Sequence, residues 1–387
     1  MKRIVVLTVS RAEYGLLRPL ILKLGKEEDI DMRLAVTGSH LSPEFGMTVC
    51  EIEEDGIEID KKTEILLSAD TPVSISKSMG LAMISFAEYF AECDPDALIV
   101  LGDRFETLAV CCAAMNAGIP VLHLHGGETT EGLIDEAIRH SITKMSYLHF
   151  ASTENYRQRI IQMGEAPERV FNVGAIGVEN ALHTQLHCLK SLEKDLQCDL
   201  GGCYVVGTFH PVTLEKATAQ RQTEELLGAL NRNPQITYLF TKANADSDGR
   251  IINKMLKRYA QEHDNFILVD SLGTKRYMSA LKYASFVIGN SSSGLIEAPS
   301  FGIPTINIGD RQRGRIAGES VINCRPEMED IDLAIKTALS DRFKDIAGKA
   351  ENPYGEGDTS EKIIRIMKEF LNRDKVDMKK KFHDIRF

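Results

Sequence analysis

Between Ile99 and His140 the chain reads IVLGDRFETLAVCCAAMNAGIPVLHLHGGETTEGLIDEAIRH. Two short apolar runs, Leu98 to Leu101 and Pro120 to Leu124, read as strands, and each gives way at once to polar, glycine-rich residues. Asp103 and Arg104 close the first. His123 and His125 alternate along the second and are therefore expected to face the same way. Glu128, Glu131, Asp135, Glu136, Arg139 and His140 follow. Carboxylates and imidazoles at this density suit proton transfer, although a solvated loop would be charged too. Position favours the catalytic reading, because parallel α/β sheets hold their ligands at the carboxyl ends of strands. Asp135 with Arg139, and Glu136 with His140, are spaced i, i+4 on an expected helix. That spacing also fits plain surface pairing, worth roughly 0.2–0.5 kcal/mol. His123, His125 and Glu128 raise the thought of zinc, but Gly126-Gly127 intervenes and there is no HExxH helix, so no metal is expected.

The elements that must position these residues alternate from the start. Ile4 to Val9 is a β-branched run, and SRAEYG then opens a helix with Leu17, Leu20, Ile21 and Leu24 on one face. Met32 to Val36 is a second strand. Residues 75 to 91 have helical spacing, which Asp94-Pro95-Asp96 interrupts. Phe105, Leu108, Ala109 and Cys112 follow the i, i+3, i+4, i+7 pattern, and Ile138, Ile142 and Met145 continue one from Asp135. Leu148 to Ala151 and Val170 to Val173 are short strands. Residues 1–178 thus read as a doubly wound parallel sheet. From Glu179 to Cys203 the sequence is helical, polar and poor in strand signals, as a hinge region would be. Alternation restarts with Tyr204 to Thr208, Thr237 to Thr241, Phe266 to Val269, Phe286 to Ile288 and Thr305 to Ile308. Residues 179–358 therefore read as a second Rossmann-like domain, and 359–387 as a helix and tail suited to packing back on the first. The expected fold class is α/β, two Rossmann-like domains with a central cleft.

In the second half, Asn290-Ser291-Ser292-Ser293-Gly294 lies between a strand and a helix. Backbone N–H groups, hydroxyls and a positive helix end there suit phosphate oxygens, and Glu297 one turn on suits ribose hydroxyls. A plain serine N-cap explains one serine, not three and a glycine. No Walker lysine and no GxGxxG is present, so neither a P-loop kinase nor a standard dinucleotide site is supported. Arg311, Arg313 and Arg315 follow another strand and either clamp an anion or face water. His210, Arg11 and His40 each sit just past the carboxyl end of a strand, and this shared position marks them together.

The bulk properties bound the rest. With 387 residues, 43% hydrophobic and 26% charged, the chain reads as a soluble two-domain protein. A net charge of −10 and the lack of a basic aromatic stripe argue against nucleic acid. No apolar run is long enough to span a bilayer, so no membrane partner is expected. The N-terminus reads as a strand rather than a secretory signal. Eight cysteines without a CxxC pair point to a reducing, cytoplasmic compartment.

The motifs SRAEYG, VTGSH, LGDRFE, HGGETTEG, IDEAIRHSITKMS, FHPVT, GNSSSGLIEAPS and INIGDRQRGR occur in this order. Together they resemble the hydrolysing UDP-N-acetylglucosamine 2-epimerases, above all the bacterial enzymes of sialic acid and capsule synthesis. The resemblance covers roughly residues 3 to 320 and most of the tail. It implies a glycosyltransferase-B-like fold with the UDP-sugar in the cleft and no cofactor. It also implies a UDP site of Ser291, Ser292, Gly294, Glu297 and Arg311, with Arg11 at the phosphates. Asp103, Glu128, Asp135, His40 and His210 would surround the sugar, beside Arg104 and Arg139. The implied reaction removes the C2 proton, eliminates UDP to a 2-acetamidoglucal and adds water, giving N-acetylmannosamine. Asp103 or Asp135 would handle the C2 proton and His210 would assist at the phosphate; the order of the carboxylates stays open. Position 125 departs from the animal bifunctional relatives, which carry glutamate there, and similar bacterial enzymes share the histidine. The kinase domain of those animal proteins is lacking.

Rival readings remain. A UDP-N,N′-diacetylbacillosamine 2-epimerase of legionaminic acid synthesis would use the same chemistry. A non-hydrolysing epimerase fits the GDRFE and IDEAIRH forms less well, and a glycosyltransferase would need an acceptor site. A binding module without turnover would not set so many carboxylates beside an anionic ligand. An exposed apolar helix in the first domain would fit a homodimer or homotetramer.

Overall fold

The computed structural model describes residues 1–69, 71–131, 134–212, 218–243, 249–372 and 378–385. Gly132 and Thr213, which end two of the motifs above, lie outside them. The chain forms two compact units. The first comprises Met1–Glu128, Ile134–Glu179 and Gly355–Phe387; the second comprises Thr129–Leu133 and Asn180–Tyr354.

The first unit holds a seven-stranded sheet made of β1 (Lys2–Thr8), β2 (Ile30–Thr37), β3 (Ile59–Thr63), β4 (Ala97–Leu101), β5 (Val121–Leu124), β6 (Leu148–Ala151) and β7 (Val170–Asn172). Every pairing is parallel, in the order β3-β2-β1-β4-β5-β6-β7. Helices α1 (Arg11–Leu24), α2 (Val49–Glu54), α3 (Pro72–Cys93), α4 (Phe105–Asn116), α5 (Ile134–Met145) and α6 (Glu154–Gln162) connect the strands, and α7 (Ile176–His183) follows. The alternation of β1 explains the layering. Ile4 and Val6 join a core built from Leu17, Leu20 and Leu24 of α1, while Val5 and Leu7 face Phe86 and Phe90 of α3 and Val110 of α4. A parallel strand covered on both faces has no polar side, which is why these strands read as continuous apolar runs.

The second unit holds six parallel strands, β8 (Tyr204–Thr208), β9 (Thr237–Thr241), β10 (Phe266–Val269), β11 (Phe286–Gly289), β12 (Thr305–Ile308) and β13 (Val321–Cys324), in the order β10-β9-β8-β11-β12-β13. Its helices are α8 (Leu189–Leu196), α9 (Ala219–Asn231), α10 (Gly249–Glu262), α11 (Gly273–Tyr283), α12 (Ser293–Ile296), α13 (Met328–Leu339) and α14 (Asp341–Lys349). The last helix, α15 (Thr359–Leu371), belongs to the first unit, where Ile363, Ile364, Met367, Phe370 and Leu371 share the core of α1.

Each sheet reverses its strand order once, between β1 and β4 in the first unit and between β8 and β11 in the second. Chains leaving neighbouring strands at such a point turn to opposite faces and leave a crevice at the carboxyl ends. The first crevice is bordered by residues 9–13 and 102–106, the second by residues 209–212 and 290–294. Among the described residues no helix is long and apolar enough to cross a membrane.

Candidate active site

In the first unit the carboxyl ends of β4, β5 and β6 bring several of the expected residues together. Asp103, two residues past β4, forms an ion pair with Arg139 of α5. The Arg139 guanidinium is nearly buried and also donates to the Glu128 carbonyl at 2.8 Å and to Glu136 at 3.2 Å. Asp135 is half-buried in the first turn of α5, near enough to Arg104 to favour its charge. Arg104 itself is exposed and pairs with Glu106 at 3.2 Å.

His125 departs from the strand reading. β5 ends at Leu124, and His125 adopts φ +63°, a left-handed backbone that costs a non-glycine residue about 1–2 kcal/mol. The alternation that would have aligned it with His123 therefore stops one residue earlier. His125 Nδ1 lies 3.0 Å from Glu128 Oε1, and the same oxygen accepts from Ser152 Oγ at 2.7 Å. His125 Nε2 is buried and has no partner among the described residues. Gly127 makes this turn possible: it has φ +75°, and a Cβ there would meet the Tyr156 carbonyl at 2.5 Å. His123, fully buried, donates from Nε2 to the Gly102 carbonyl at 2.8 Å, and burial pushes its imidazole down to about 3. It supports the loop that carries Asp103.

His40 is also sealed in. Its Nε2 lies 3.0 Å from Thr8 Oγ1 and its Nδ1 2.9 Å from Thr48 Oγ1, with no exposed surface. Burial pushes it down to about 4, so it is a neutral core histidine at pH 7. Arg11 is exposed at the first position of α1, where the helix dipole opposes a cation unless an anion is near.

In the second unit the crevice is tied by Asn290. Its side chain accepts from the His210 N–H at 2.7 Å and donates to the His210 carbonyl at 2.8 Å, locking the end of β8 to the end of β11. The Asn290 carbonyl accepts from Arg311 at 3.1 Å and Gln312 at 2.8 Å. The arginine loop, the serine loop and His210 thus form one cluster. Burial, with the Arg311 charge adding, pushes His210 down to about 3, leaving a neutral imidazole at pH 7. Ser291 and Ser292 are half-exposed beside it, and Glu297 is buried near the Tyr277 phenol. One expectation needs correction. The helix after the serines, α12, is a single turn, so its dipole is local, and the Ser292 side chain does not cap it. Gly294 also packs closely: a Cβ there would stand 2.7 Å from Thr305 Cγ2.

Sequence reasoning missed Ser152, the tie between Asn290 and His210, and a buried carboxyl pair. Glu13 accepts from the Val9 N–H at 3.0 Å, one residue before the Ser10 N-cap, and is 7% exposed. Burial drives it up to about 8 despite the opposing pull of Arg104, and fully buried Glu106 adds to the rise. The capping-box spacing was the available signal for Glu13. Ser152 carried only its place after β6.

Two doubly wound parallel units with polar clusters at their switch points define a glycosyltransferase-B-like α/β protein. The family model for UDP-N-acetylglucosamine 2-epimerase matches residues 22–368, and the chain belongs to that family. It is 40% identical over 99% of both chains to the GDP/UDP-N,N′-diacetylbacillosamine 2-epimerase (hydrolyzing) of Campylobacter jejuni. It is 41% identical to the polysialic acid biosynthesis protein P7 of Escherichia coli, covering 100% of this chain and 98% of that one. The fold is similar to the crystal structure of UDP-GlcNAc 2-epimerase from Neisseria meningitidis bound to UDP-GlcNAc, with TM-score 0.80, 20% identity, and coverage of 95% of this chain and 100% of that one.

Proposed function

We propose that the protein is a hydrolysing UDP-N-acetylglucosamine 2-epimerase that converts UDP-N-acetylglucosamine and water to N-acetylmannosamine and UDP, supplying sialic acid synthesis. The observation that carries the reading is the cluster at the ends of β4 to β6, in which Asp103–Arg139 and His125–Glu128–Ser152 surround one set of loops. A carboxylate, Asp103 or Asp135, takes the C2 proton. The C2–H electron pair forms the C1–C2 double bond as the C1–O bond breaks toward the β-phosphate oxygen. Water then adds hydroxyl to C1 and a proton returns to C2 from the other face. His125 offers a nitrogen without a partner among the described residues, and Glu128 fixes its ring, as proton transfer requires. Ser291, Ser292, Glu297 and Arg311 hold the nucleotide, with neutral His210 donating at the departing phosphate. Arg104 and Arg139 keep the carboxylates in place, and His40 supports the loop from within.

The Campylobacter relative favours a second reading, the 4-acetamido-6-deoxy sugar UDP-N,N′-diacetylbacillosamine, on the same machinery. Proton NMR in deuterated water separates them. UDP and free N-acetylmannosamine deuterated at C2 are expected from UDP-N-acetylglucosamine. Turnover of the diacetyl sugar alone moves the assignment to the second reading, and turnover of neither removes both. A homo-oligomer is part of the proposal, supported by Val73, Ile75, Leu81, Met83 and Ile84 exposed on α3, and sedimentation equilibrium tests it.

A further inference from the structure

The last turn of an α-helix leaves carbonyl oxygens without intrahelical partners. At the end of α5 a distant residue supplies them. Lys380 donates to the Lys144 carbonyl at 3.0 Å and to the Ser146 carbonyl at 2.6 Å. The same ammonium pairs with Glu165 at 2.6 Å, whose side chain is 1% exposed and also takes Lys144 at 2.5 Å and His149 at 3.1 Å. An exposed lysine pair contributes little to stability, but one bound to a buried carboxylate and two helix-end carbonyls is held at three points. The neighbouring residues of the tail are shaped to the same place. The His383 N–H donates to the Gly164 carbonyl at 2.9 Å. The Phe382 ring covers Gly164 so closely that a Cβ there would lie 2.3 Å from it, and Lys144 Nζ stands 5.1 Å from the ring centroid.

What α5 carries gives these contacts a function. Arg139, less than two turns before the end, holds Asp103, and its carbonyl accepts from Thr143 Oγ1 at 2.9 Å. We propose that Lys380 is a positioning residue: the tail of residues 378–385 clamps the end of α5 and so fixes the Arg139–Asp103 pair for the reaction. The activity part rests on the function proposed above. The tail grips the Lys144 and Ser146 carbonyls at the end of α5 together with Glu165 and Gly164, so its effect on Asp103 passes through the helix.

The test compares Lys380→Met, Lys380→Arg and a chain ending at residue 377. Lys380→Met is expected to speed amide exchange at residues 143–147 about tenfold. It should lower kcat roughly tenfold while KM stays within about twofold, because a displaced Asp103 affects the transition state more than binding. Lys380→Arg should stay near the intact chain. Adding the peptide of residues 378–387 to the shortened chain should restore slow exchange in α5. Unchanged exchange in both Lys380→Met and the shortened chain overturns the clamp. Faster exchange with an unchanged kcat overturns the positioning role. If the intact chain turns over neither UDP-sugar, the functional reading fails, while the exchange measurement still decides whether the tail clamps the helix.

Discussion

Replacing Arg139 by methionine keeps the apolar stem and removes the guanidinium around which the first unit's site is arranged. The side chain of Arg139 is 3% exposed and that of Asp103 23%. Removing one partner of a buried ion pair costs about 3–5 kcal/mol, mostly because the other charge is left stranded. Asp103 is nearly a quarter open to water, which lowers that part to roughly 2–3 kcal/mol. Losing the bonds to the Glu128 carbonyl and Glu136 adds about 1–2 kcal/mol, so Arg139→Met should lose about 4 kcal/mol in total. Asp103→Asn leaves Arg139 with Glu136 and the carbonyl, and should cost about 2 kcal/mol. The double variant strands neither charge and should lie about 1.5–2 kcal/mol nearer the intact chain than the sum of the singles. The chain has no tryptophan, so the assay is pulsed hydrogen exchange across a urea series, read on peptides from β4 and α5. Single effects that add to within about 0.3 kcal/mol, or an Arg139→Met variant within about 0.5 kcal/mol of the intact chain, would refute the buried pair as the frame of the site.

Other expectations follow from the same geometry. Glu13 has its folded value raised from 4.5 to about 8, so the folded state binds the extra proton between those limits and stability falls as pH rises through them, by roughly 1.4 kcal/mol per pH unit. Glu13→Gln should abolish that slope and be the more stable chain at pH 8; urea midpoints at pH 5 and 8 that shift equally in both chains contradict this. Ser152→Ala removes a hydrogen bond to a buried carboxylate and should cost about 1.5–3 kcal/mol together with most of the turnover, whereas full kcat would remove Glu128 from the mechanism. Asn290→Ala frees His210 from the arginine loop and is expected to raise KM for the UDP-sugar by roughly tenfold or more, measured by UDP release.

The fold was largely legible because central parallel strands are apolar on both faces: ALIVL and YVVGT have no polar side to confuse the period. The two strands that escaped notice, β3 and β13, each lie at one edge of its sheet. Two of the five residues of IDKKT face water, so its sequence has little need of the apolar signal. The site was legible as a set of loops and much less so as contacts. Asp103 and Arg139 are 36 residues apart, and Ser152 and Glu128 are 24 apart, so only the sheet order joins them. His125 shows a different limit. Gly126-Gly127 announces a turn, but nothing local says that the histidine itself takes the left-handed backbone, since the energy that holds it there comes from Glu128 and the chain around Gly127. His40 lies where a ligand histidine would lie and is nevertheless sealed, because Thr8 and Thr48 close over it from other elements.

The order in which the units are encoded has a consequence for biosynthesis. Residues 180–354 of the second unit form one uninterrupted stretch, whereas the first unit is completed only by residues 355–387. As the chain leaves the ribosome, the apolar face of α1 therefore waits, through the whole synthesis of the second unit, for Ile363, Met367 and Phe370 to cover it. At about 5–20 residues per second this interval is on the order of ten seconds or more, long enough for a holdase to matter. Chains released before α15 emerges would keep a complete second unit and an open first one, with the apolar face of α1 exposed.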